Sequence, residues 1–222
     1  TPKLSPITTT SDITIHKTLT TEQKRGFKLL GSFCNNQQMV VIDGVTGSGK
    51  TELYIQTIGR YILKNKQALV LVPEIGLTPQ LFEQFHHRFG NVVSVLHSDI
   101  TAKKRADIWL KAKENILKII IGTRSGVFTP FKDLGIIIVD EEHDSSLKQQ
   151  NGLRYSARDL AILRAKYNKI PAVLGSATPS FETLMNVKNG KYKKITLKNR
   201  VFSTPLPKIN IIDLRVHPQK NG

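Results

Sequence analysis

Two short motifs in this chain place glycines, a lysine, a threonine and carboxylates at spacings that suit phosphate chemistry. The first is GVTGSGKT at Gly44–Thr51, which fits the pattern G-x-x-x-x-G-K-[ST]. In that pattern successive backbone N–H groups point at phosphate oxygens, the lysine reaches the β- and γ-phosphates, and the hydroxyl holds Mg²⁺. The motif therefore predicts a nucleoside triphosphate site rather than a glycine-rich turn with a surface lysine. Its predicted members are Gly44, Thr46, Gly47, Ser48, Gly49, Lys50 and Thr51.

The second motif is IIIVDEEH at Ile136–His143, an apolar run that ends in adjacent carboxylates. Ligand sites in α/β sheets lie at the carboxyl ends of strands, so Asp140 is expected to bind Mg²⁺ through water. Glu141 is the better general base for polarising the hydrolytic water. A short acidic run alone would favour a solvated loop, but the upstream motif favours catalysis. The predicted catalytic residues are Glu141, Lys50 and Asp140, and the predicted metal ligands are Thr51 and Asp140.

Both motifs follow short runs rich in branched apolar residues, which is typical of buried parallel strands. Strand-like and helix-like segments alternate along the chain, and this alternation predicts an α/β fold with a mainly parallel sheet and helices on both faces. The predicted strands span 39–43, 68–72, 92–96, 119–122, 135–140 and 172–175, and the predicted helices span about 52–66, 77–89, 101–115, 157–168 and 181–188.

Three further loops follow predicted strands and should reach the same sheet edge as the phosphate loop. Segments 72–78 and 122–125 offer hydroxyls, a helix N-terminus and an arginine, which suit contacts to a phosphodiester backbone. Ordinary loop chemistry is the alternative for each. The triplet at 176–178 could relay between the nucleotide site and a nucleic-acid groove. The residues predicted for these roles are Thr78, Arg124, Ser125, Ser176 and Thr178.

The chain is strongly basic, with 33 Lys and Arg against 17 Asp and Glu and a formal net charge of +16. This excess favours a polyanionic partner, with improved solubility or a lysine-rich proteome as the alternative. The stretch 187–200 carries six basic residues and no acid. Because Ile195 and Leu197 alternate with polar neighbours, that stretch could equally be a half-exposed strand.

A few features limit the class of protein. Cys34 is the one cysteine, so no disulfide or cysteine-based zinc site can form within the chain, and a small apolar filler is its expected role. No apolar run of about 18 residues occurs, which predicts no membrane span. No signal-peptide pattern opens the chain, so a cytoplasmic location is expected.

In their order along the chain, the motifs resemble those of superfamily 2 helicases of the D-E-x-H type. The series runs Gln23, GVTGSGKT, VPEIGLTPQ, GTRSGVF, DEEH and SATPS. Longer strings such as LVPEIGLTPQ and LGSATPSFETL are similar to the primosomal replication-restart helicases. This resemblance implies a RecA-like P-loop lobe that uses ATP and Mg²⁺. It also implies a 3′-to-5′ DNA helicase that binds stalled or abandoned forks and helps restart replication.

The resemblance also assigns roles to single residues. Gln23 would contact adenine, Arg124 would contact the DNA backbone, and Ser176 and Thr178 would couple hydrolysis to movement. Segment 144–158 matches a loop that senses single-stranded DNA, so Tyr155 and Arg158 join the predicted nucleic-acid contacts. Leucines at 147 and 153 stand where the family is expected to carry aromatic residues, which weakens base stacking there.

The family's other modules do not fit in this length. The resemblance implies a linker or edge segment at 1–16, the ATP-binding lobe at 17–204, and the start of a linker to a second lobe at 205–222. Arginine fingers would come from that lobe, and zinc would bind only in a cysteine-rich module outside this chain. The lobe alone is therefore expected to bind ATP or ADP weakly and to hydrolyse poorly.

The expected partners are forked and single-stranded DNA and, through the full-length chain, primosome proteins and single-stranded DNA-binding protein. Three alternatives stay open: a RecG-type translocase of the same superfamily, a non-catalytic nucleic-acid-binding module with a P-loop fold, and a small P-loop kinase.

Overall fold

A seven-stranded parallel sheet forms the centre of the molecule. The computed structural model describes residues 18–76 and 78–201. The sheet has the order β3-β4-β2-β5-β8-β1-β9, and β6 pairs with β7 in a separate antiparallel hairpin. The strands are β1 (Met39–Gly44), β2 (Gln67–Leu71), β3 (Val93–Leu96), β4 (Ile119–Gly122), β5 (Leu134–Val139), β6 (Lys148–Gln149), β7 (Tyr155–Ser156), β8 (Ala172–Ser176) and β9 (Lys193–Leu197).

Helices cover both faces of this sheet, as predicted for an α/β fold. Leu53 of the second helix and Phe85 of the third pack into the core on one face, while Ile108 and Ala161 of the next two helices pack on the other. None of the helices in the described residues is long and apolar enough to cross a membrane. The helices are α1 (Thr21–Asn35), α2 (Lys50–Ile62), α3 (Pro79–Phe89), α4 (Ala102–Lys113), α5 (Ala157–Tyr167) and α6 (Phe181–Lys188).

Side-chain caps set where most of these helices begin. Thr101 accepts a hydrogen bond from the Lys104 amide, and Ser156 accepts one from the Asp159 amide, as expected for these two N-cap residues. All six predicted strands and five predicted helices are present, with ends that differ by a few residues. The predicted segments 1–16 and 205–222 lie outside the described residues.

Helix α1, strand β9 and the short hairpin of β6 and β7 were not assigned from the sequence. Helix α1 begins with a capping box in which Thr20 and Gln23 satisfy each other's backbone amides; a threonine three residues before a glutamine is the signal that could have revealed it. The basic stretch 187–200 contains β9, which pairs in parallel with β1 at the sheet edge. Its alternation of buried Ile195 and Leu197 with exposed neighbours supports the half-exposed strand.

The strand order determines which loops meet. Strands β5, β8 and β1 are consecutive neighbours in the sheet and parallel, so their carboxyl ends lie side by side. Those ends lead to the DEEH motif, the 176–178 triplet and the phosphate loop. Strands β2 and β4, which lead to segments 72–78 and 122–125, form the other part of the same edge.

Candidate nucleotide site and nucleic-acid rim

The phosphate loop connects β1 directly to the N-terminus of α2. Gly47 and Gly49 have φ of 79° and 82°, a left-handed conformation that glycine adopts without steric cost. Lys50 is the first residue of α2 and is 7% exposed. Its Nζ donates a hydrogen bond of 2.8 Å to the carbonyl oxygen of Gly44. In this structure the side chain at the end of the loop therefore hydrogen-bonds to the backbone at the start of the loop.

The DEEH motif faces this loop. Glu141 Oε1 lies 3.6 Å from Lys50 Nζ, so the two motifs meet at one place as the sequence implies. Glu141 has a φ of 43°, which is uncommon for a residue with a side chain. Such strained backbone concentrates at functional sites, where the surrounding structure enforces it. Here it places the carboxylate opposite the lysine.

Asp140 has a partner that the sequence did not reveal. The hydroxyl of Tyr54 on α2 donates a hydrogen bond of 3.0 Å to Asp140 Oδ1. A Cβ on Gly175 would collide with that hydroxyl, so glycine leaves the space in which the phenol sits. Burial raises the pKa of Asp140, and the neighbouring charge of Glu141 adds to this. Burial also raises the pKa of Tyr54 well above its ordinary value, so the phenol keeps its proton.

A chain of polar contacts runs from the acid pair to the end of β8. Glu141 Oε2 lies 3.6 Å from His143 Nδ1, and that nitrogen shares a hydrogen bond of 2.7 Å with Ser176 Oγ. The amide of Thr178 donates to the same hydroxyl oxygen at 2.9 Å. Ser176 is fully buried. The predicted coupling residues thus connect physically with the predicted catalytic acid.

Glu142, the third acid of the DEEH motif, is held in a buried cluster of hydrogen bonds. Glu142 is 2% exposed and accepts hydrogen bonds from the Ser180 amide at 2.7 Å and from the hydroxyl of Thr183 at 3.0 Å. Arg158 Nη1 completes this cluster with an ion pair of 3.1 Å to Glu142. Arg158 was expected at the nucleic-acid contact, but the structure places it in this largely buried cluster, where the buried carboxylate requires a cation.

The remaining predicted contacts lie along the rim formed by the loops after β2 and β4. Arg124 lies 3.5 Å from a carboxylate oxygen of Glu74 and donates to the carbonyl oxygen of Ser146 at 3.3 Å. Ser125 Oγ accepts a hydrogen bond of 3.3 Å from Arg105. Thr78 accepts from the Leu81 amide and so caps α3.

Tyr155 stands beside this rim on the short hairpin of β6 and β7. Its ring lies edge-on to that of Phe128, with centroids 5.0 Å apart. Phe128 is 45% exposed, so an aromatic surface exists here even though Leu147 is buried. Phe128 supplies it from the loop after β4, where no aromatic role was predicted.

Gln23 reaches the phosphate loop from α1. Its Nε2 donates a hydrogen bond of 2.9 Å to the carbonyl oxygen of Ser48, while its Oε1 accepts from the Thr20 amide at 2.9 Å. The structure therefore brings Gln23 to the loop, and its contact with adenine stays a prediction.

The described residues also fit phosphate and Mg²⁺, the two groups that a nucleotide site would bind. The Ser48 hydroxyl is buried and has no hydrogen-bond partner among the described residues, so it can donate to a phosphate oxygen. Within the same residues, no group of three His, Cys, Asp or Glu side chains could hold a metal alone. A magnesium ion bound by few protein ligands plus substrate phosphates fits this arrangement.

Comparison with known proteins identifies the class. The DEAD/DEAH box helicase model matches residues 20–187, and the chain belongs to that family. Within it, the chain is similar to replication restart protein PriA. It is 42% identical to the Bacillus subtilis protein over 89% of this chain, and 47% identical to the Haemophilus influenzae protein over 92%. It spans only 25% and 28% of those two proteins, and corresponds to one RecA-like lobe.

Solved structures confirm the fold. RecG bound to a three-way DNA junction matches 85% of this chain and 25% of its own, with a TM-score of 0.61 and 22% identity. The Pyrococcus furiosus Hef helicase domain matches 77% of this chain and 37% of its own, with a TM-score of 0.55 and 20% identity. At such identities the likeness establishes the RecA-like α/β architecture alone.

Proposed function

We propose that this chain is the ATP-binding motor lobe of a 3′-to-5′ DNA helicase that binds stalled or abandoned replication forks and helps restart replication. The observation that carries this proposal is the position of Lys50, 2.8 Å from the Gly44 carbonyl oxygen and 3.6 Å from Glu141. A phosphate-binding lysine and a candidate general base thus share one site. The similarity to replication restart proteins supplies the biological context.

In the proposed mechanism, Lys50 exchanges its two internal partners for the β- and γ-phosphates of ATP. The glycine-rich loop then surrounds the phosphates with backbone N–H groups, and the Ser48 hydroxyl gains a partner. Thr51 and Asp140 would hold Mg²⁺, which neutralises phosphate charge when bound. Glu141, released from Lys50, orients a water molecule and accepts its proton. Gln23 would recognise adenine beside the loop.

Coupling to DNA uses the contact chain from Glu141 through His143 to Ser176. A change in the position of Glu141 alters the partner of His143, and Ser176 carries that change to the Thr178 amide. Thr78, Arg124, Ser125 and Tyr155 would contact single-stranded or forked DNA along the rim. In this proposal Arg158 acts indirectly, by fixing the base of the hairpin through Glu142. The charge of +16 favours the same partner.

The chain alone is expected to bind nucleotide weakly. ATP or ADP has to displace Lys50 from two internal contacts, and arginines from a second lobe are expected to complete the site. We place this lobe at 17–204, with linker segments at 1–16 and 205–222. Primosome proteins and single-stranded DNA-binding protein would bind the longer protein, and its location would be cytoplasmic. Zinc would belong to a module outside this chain.

Two alternatives are less well supported. The chain is 22% identical to RecG but 42–48% identical to PriA proteins, which favours the replication-restart class. A non-catalytic module would have no need for Lys50, Asp140 and Glu141 to converge. Their geometry therefore favours an enzyme.

Nucleotide titration tests the proposal directly. A fluorescent ADP analogue is titrated into wild type, Lys50→Ala and, as a control, the exposed Lys113→Ala on α4, and forked-DNA binding is measured beside it. Lys50→Ala should weaken nucleotide affinity at least about tenfold, because charge-assisted hydrogen bonds to phosphate are lost. Lys113→Ala should match wild type. Equal affinities for wild type and Lys50→Ala would show that the loop does not bind phosphate.

A further inference from the structure

The four residues that follow β9 do not leave the lobe but cross the phosphate loop. The Val45 amide donates to the carbonyl oxygen of Leu197 at 3.2 Å, and the Val201 amide donates to the carbonyl oxygen of Gly47 at 2.9 Å. The first bond holds the end of β9 just before segment 198–201, and the second holds the last residue of that segment. We call this segment the crossing segment.

A carboxylate on α1 holds the start of the crossing segment. Glu22 accepts hydrogen bonds from the amides of Lys198 at 2.8 Å and Asn199 at 3.1 Å, one on each carboxylate oxygen. Hydrogen bonds to a charged acceptor are stronger than neutral ones. Glu22 lies one residue before Gln23, so the same helical turn contacts both the loop and the segment that covers it.

The side chains of the crossing segment lie against the two glycines of the loop. Cγ of Arg200 is 3.9 Å from the position that a Cβ on Gly47 would take, and Cγ2 of Val201 is 3.1 Å from the corresponding position on Gly49. A Cβ on Gly49 would also collide with the amide nitrogen of Gln23. Val201 and Gln23 therefore flank the same point of the loop, and Arg200 lies beside the neighbouring turn.

The charge of Arg200 is not used elsewhere in the described part of the chain. Its side chain is exposed, and no described carboxylate forms an ion pair with it. By contrast, Lys50 is paired with Glu141, and Lys194 on β9 is paired with Asp43 at 2.6 Å. A guanidinium that has no ion-pair partner among the described residues and lies beside the proposed phosphate-binding turn can bind an anionic oxygen in two-point geometry.

From these contacts we propose that the crossing segment is a wall of the nucleotide site. Arg200 contacts the phosphate chain of bound ATP or ADP, and Val201 packs beside the base next to Gln23. Glu22 is a positioning residue, because it holds the backbone that carries Arg200. This inference rests on the proposed ATP site and adds to it a cation from the same chain, distinct from Lys50.

The test compares Arg200→Gln and Arg200→Lys with Lys191→Ala, which removes the same charge from the turn before β9. A fluorescent ADP analogue is titrated into each 222-residue variant, and inorganic pyrophosphate is used as the competitor. Arg200→Gln should weaken affinity for both ligands about tenfold, because a hydrogen bond to a charged group is lost. Arg200→Lys should fall between it and wild type, and Lys191→Ala should match wild type.

Two readouts separate ligand contact from a structural role. Without nucleotide, the melting temperature of Arg200→Gln should equal that of wild type, and only the increase caused by ADP should shrink. Glu22→Gln should weaken ADP binding less than Arg200→Gln does. If wild type binds ADP and Arg200→Gln binds it equally well, the inference is wrong while the proposed function stands. If wild type shows no saturable binding, both fail.

Discussion

Tyr54 and Asp140, which lie far apart in the sequence, meet through a hydrogen bond of 3.0 Å from the phenol to Oδ1. Tyr54 is 1% exposed and Asp140 is partly buried, so solvent competes for this bond from one side only. The phenol fixes which way the carboxylate turns, and Gly175 provides the room. The proposed magnesium ligand is thus oriented by the helix that starts at the phosphate loop.

Replacing Tyr54 with phenylalanine should reduce the contribution of Mg²⁺ to nucleotide binding. Residues that orient a metal ligand typically change metal affinity about tenfold or more when mutated. We therefore expect the ratio of ADP affinities with and without Mg²⁺ to fall about tenfold in Tyr54→Phe. Titrations in magnesium and in EDTA measure it, and Tyr167→Phe, at an 87% exposed position, is the control. An unchanged ratio would show that the phenol does not orient the ligand.

Glu142 should matter for stability rather than for chemistry. Glu142→Ala removes the fully buried carboxylate from Arg158 and leaves it only the exposed Asp159 as an ion-pair partner among the described residues; breaking a buried pair typically costs about 3–5 kcal/mol. Glu74→Ala removes a carboxylate from the partly exposed Arg124 pair, where exposed pairs contribute about 1 kcal/mol or less. Urea unfolding of both variants gives the two values. Equal losses would contradict the structural role assigned to Glu142.

Ser176→Ala should remove the hydrogen bonds that link the end of β8 to His143 and to the Thr178 amide, without affecting nucleotide affinity. The Thr178 amide loses its acceptor and His143 loses its hydrogen bond to Ser176, whereas the contacts of the phosphate loop are unchanged. Hydrogen exchange at the Thr178 amide should accelerate about tenfold, in line with a lost hydrogen bond of about 1.4 kcal/mol. ADP titration should give the wild-type affinity. A large loss of affinity would place Ser176 in the binding site instead.

Cys34 should be inert while the protein is folded. Burial raises the pKa of its thiol to about 12, so at pH 8 almost none of it is the reactive thiolate. Iodoacetamide should therefore label Cys34 at pH 8 only after addition of denaturant. In the unfolded chain the thiol has its ordinary pKa of 9.0, so above that pH the folded state holds more protons. Folding stability should then fall as the pH rises from 9.0 toward about 12. Rapid labelling of the folded protein at pH 8 would disprove the burial argument.

The sequence predicts that the two motifs of the proposed nucleotide site meet, because each motif is local. Gly44–Thr51 carries its own turn chemistry, and a run of branched residues before Asp140 identifies a buried strand. Parallel strands then oblige the two loops to share an edge. The predicted helices and strands follow from the same periodicities, and only their ends shift.

The contacts that the sequence missed all depend on partners distant in the chain. Tyr54 has the spacing of an ordinary core residue, and nothing near it indicates that its hydroxyl meets Asp140. Glu142 looks like one more acid of the motif until Arg158 is found beside it. The segment after β9 reads as a basic stretch, and only the pairing of β9 with β1 brings Arg200 to the loop.

Strand β8 separates the strand of the phosphate loop from the strand of the catalytic acids. Any spreading or tightening between those two outer strands has to pass through it. Strand β8 is therefore hydrogen-bonded on one side to the strand that leads to the phosphate loop and on the other side to the strand that leads to the DEEH motif. In the proposed ATP site, a displacement of the tip of β8 would move Ser176 and so reach its contact with His143.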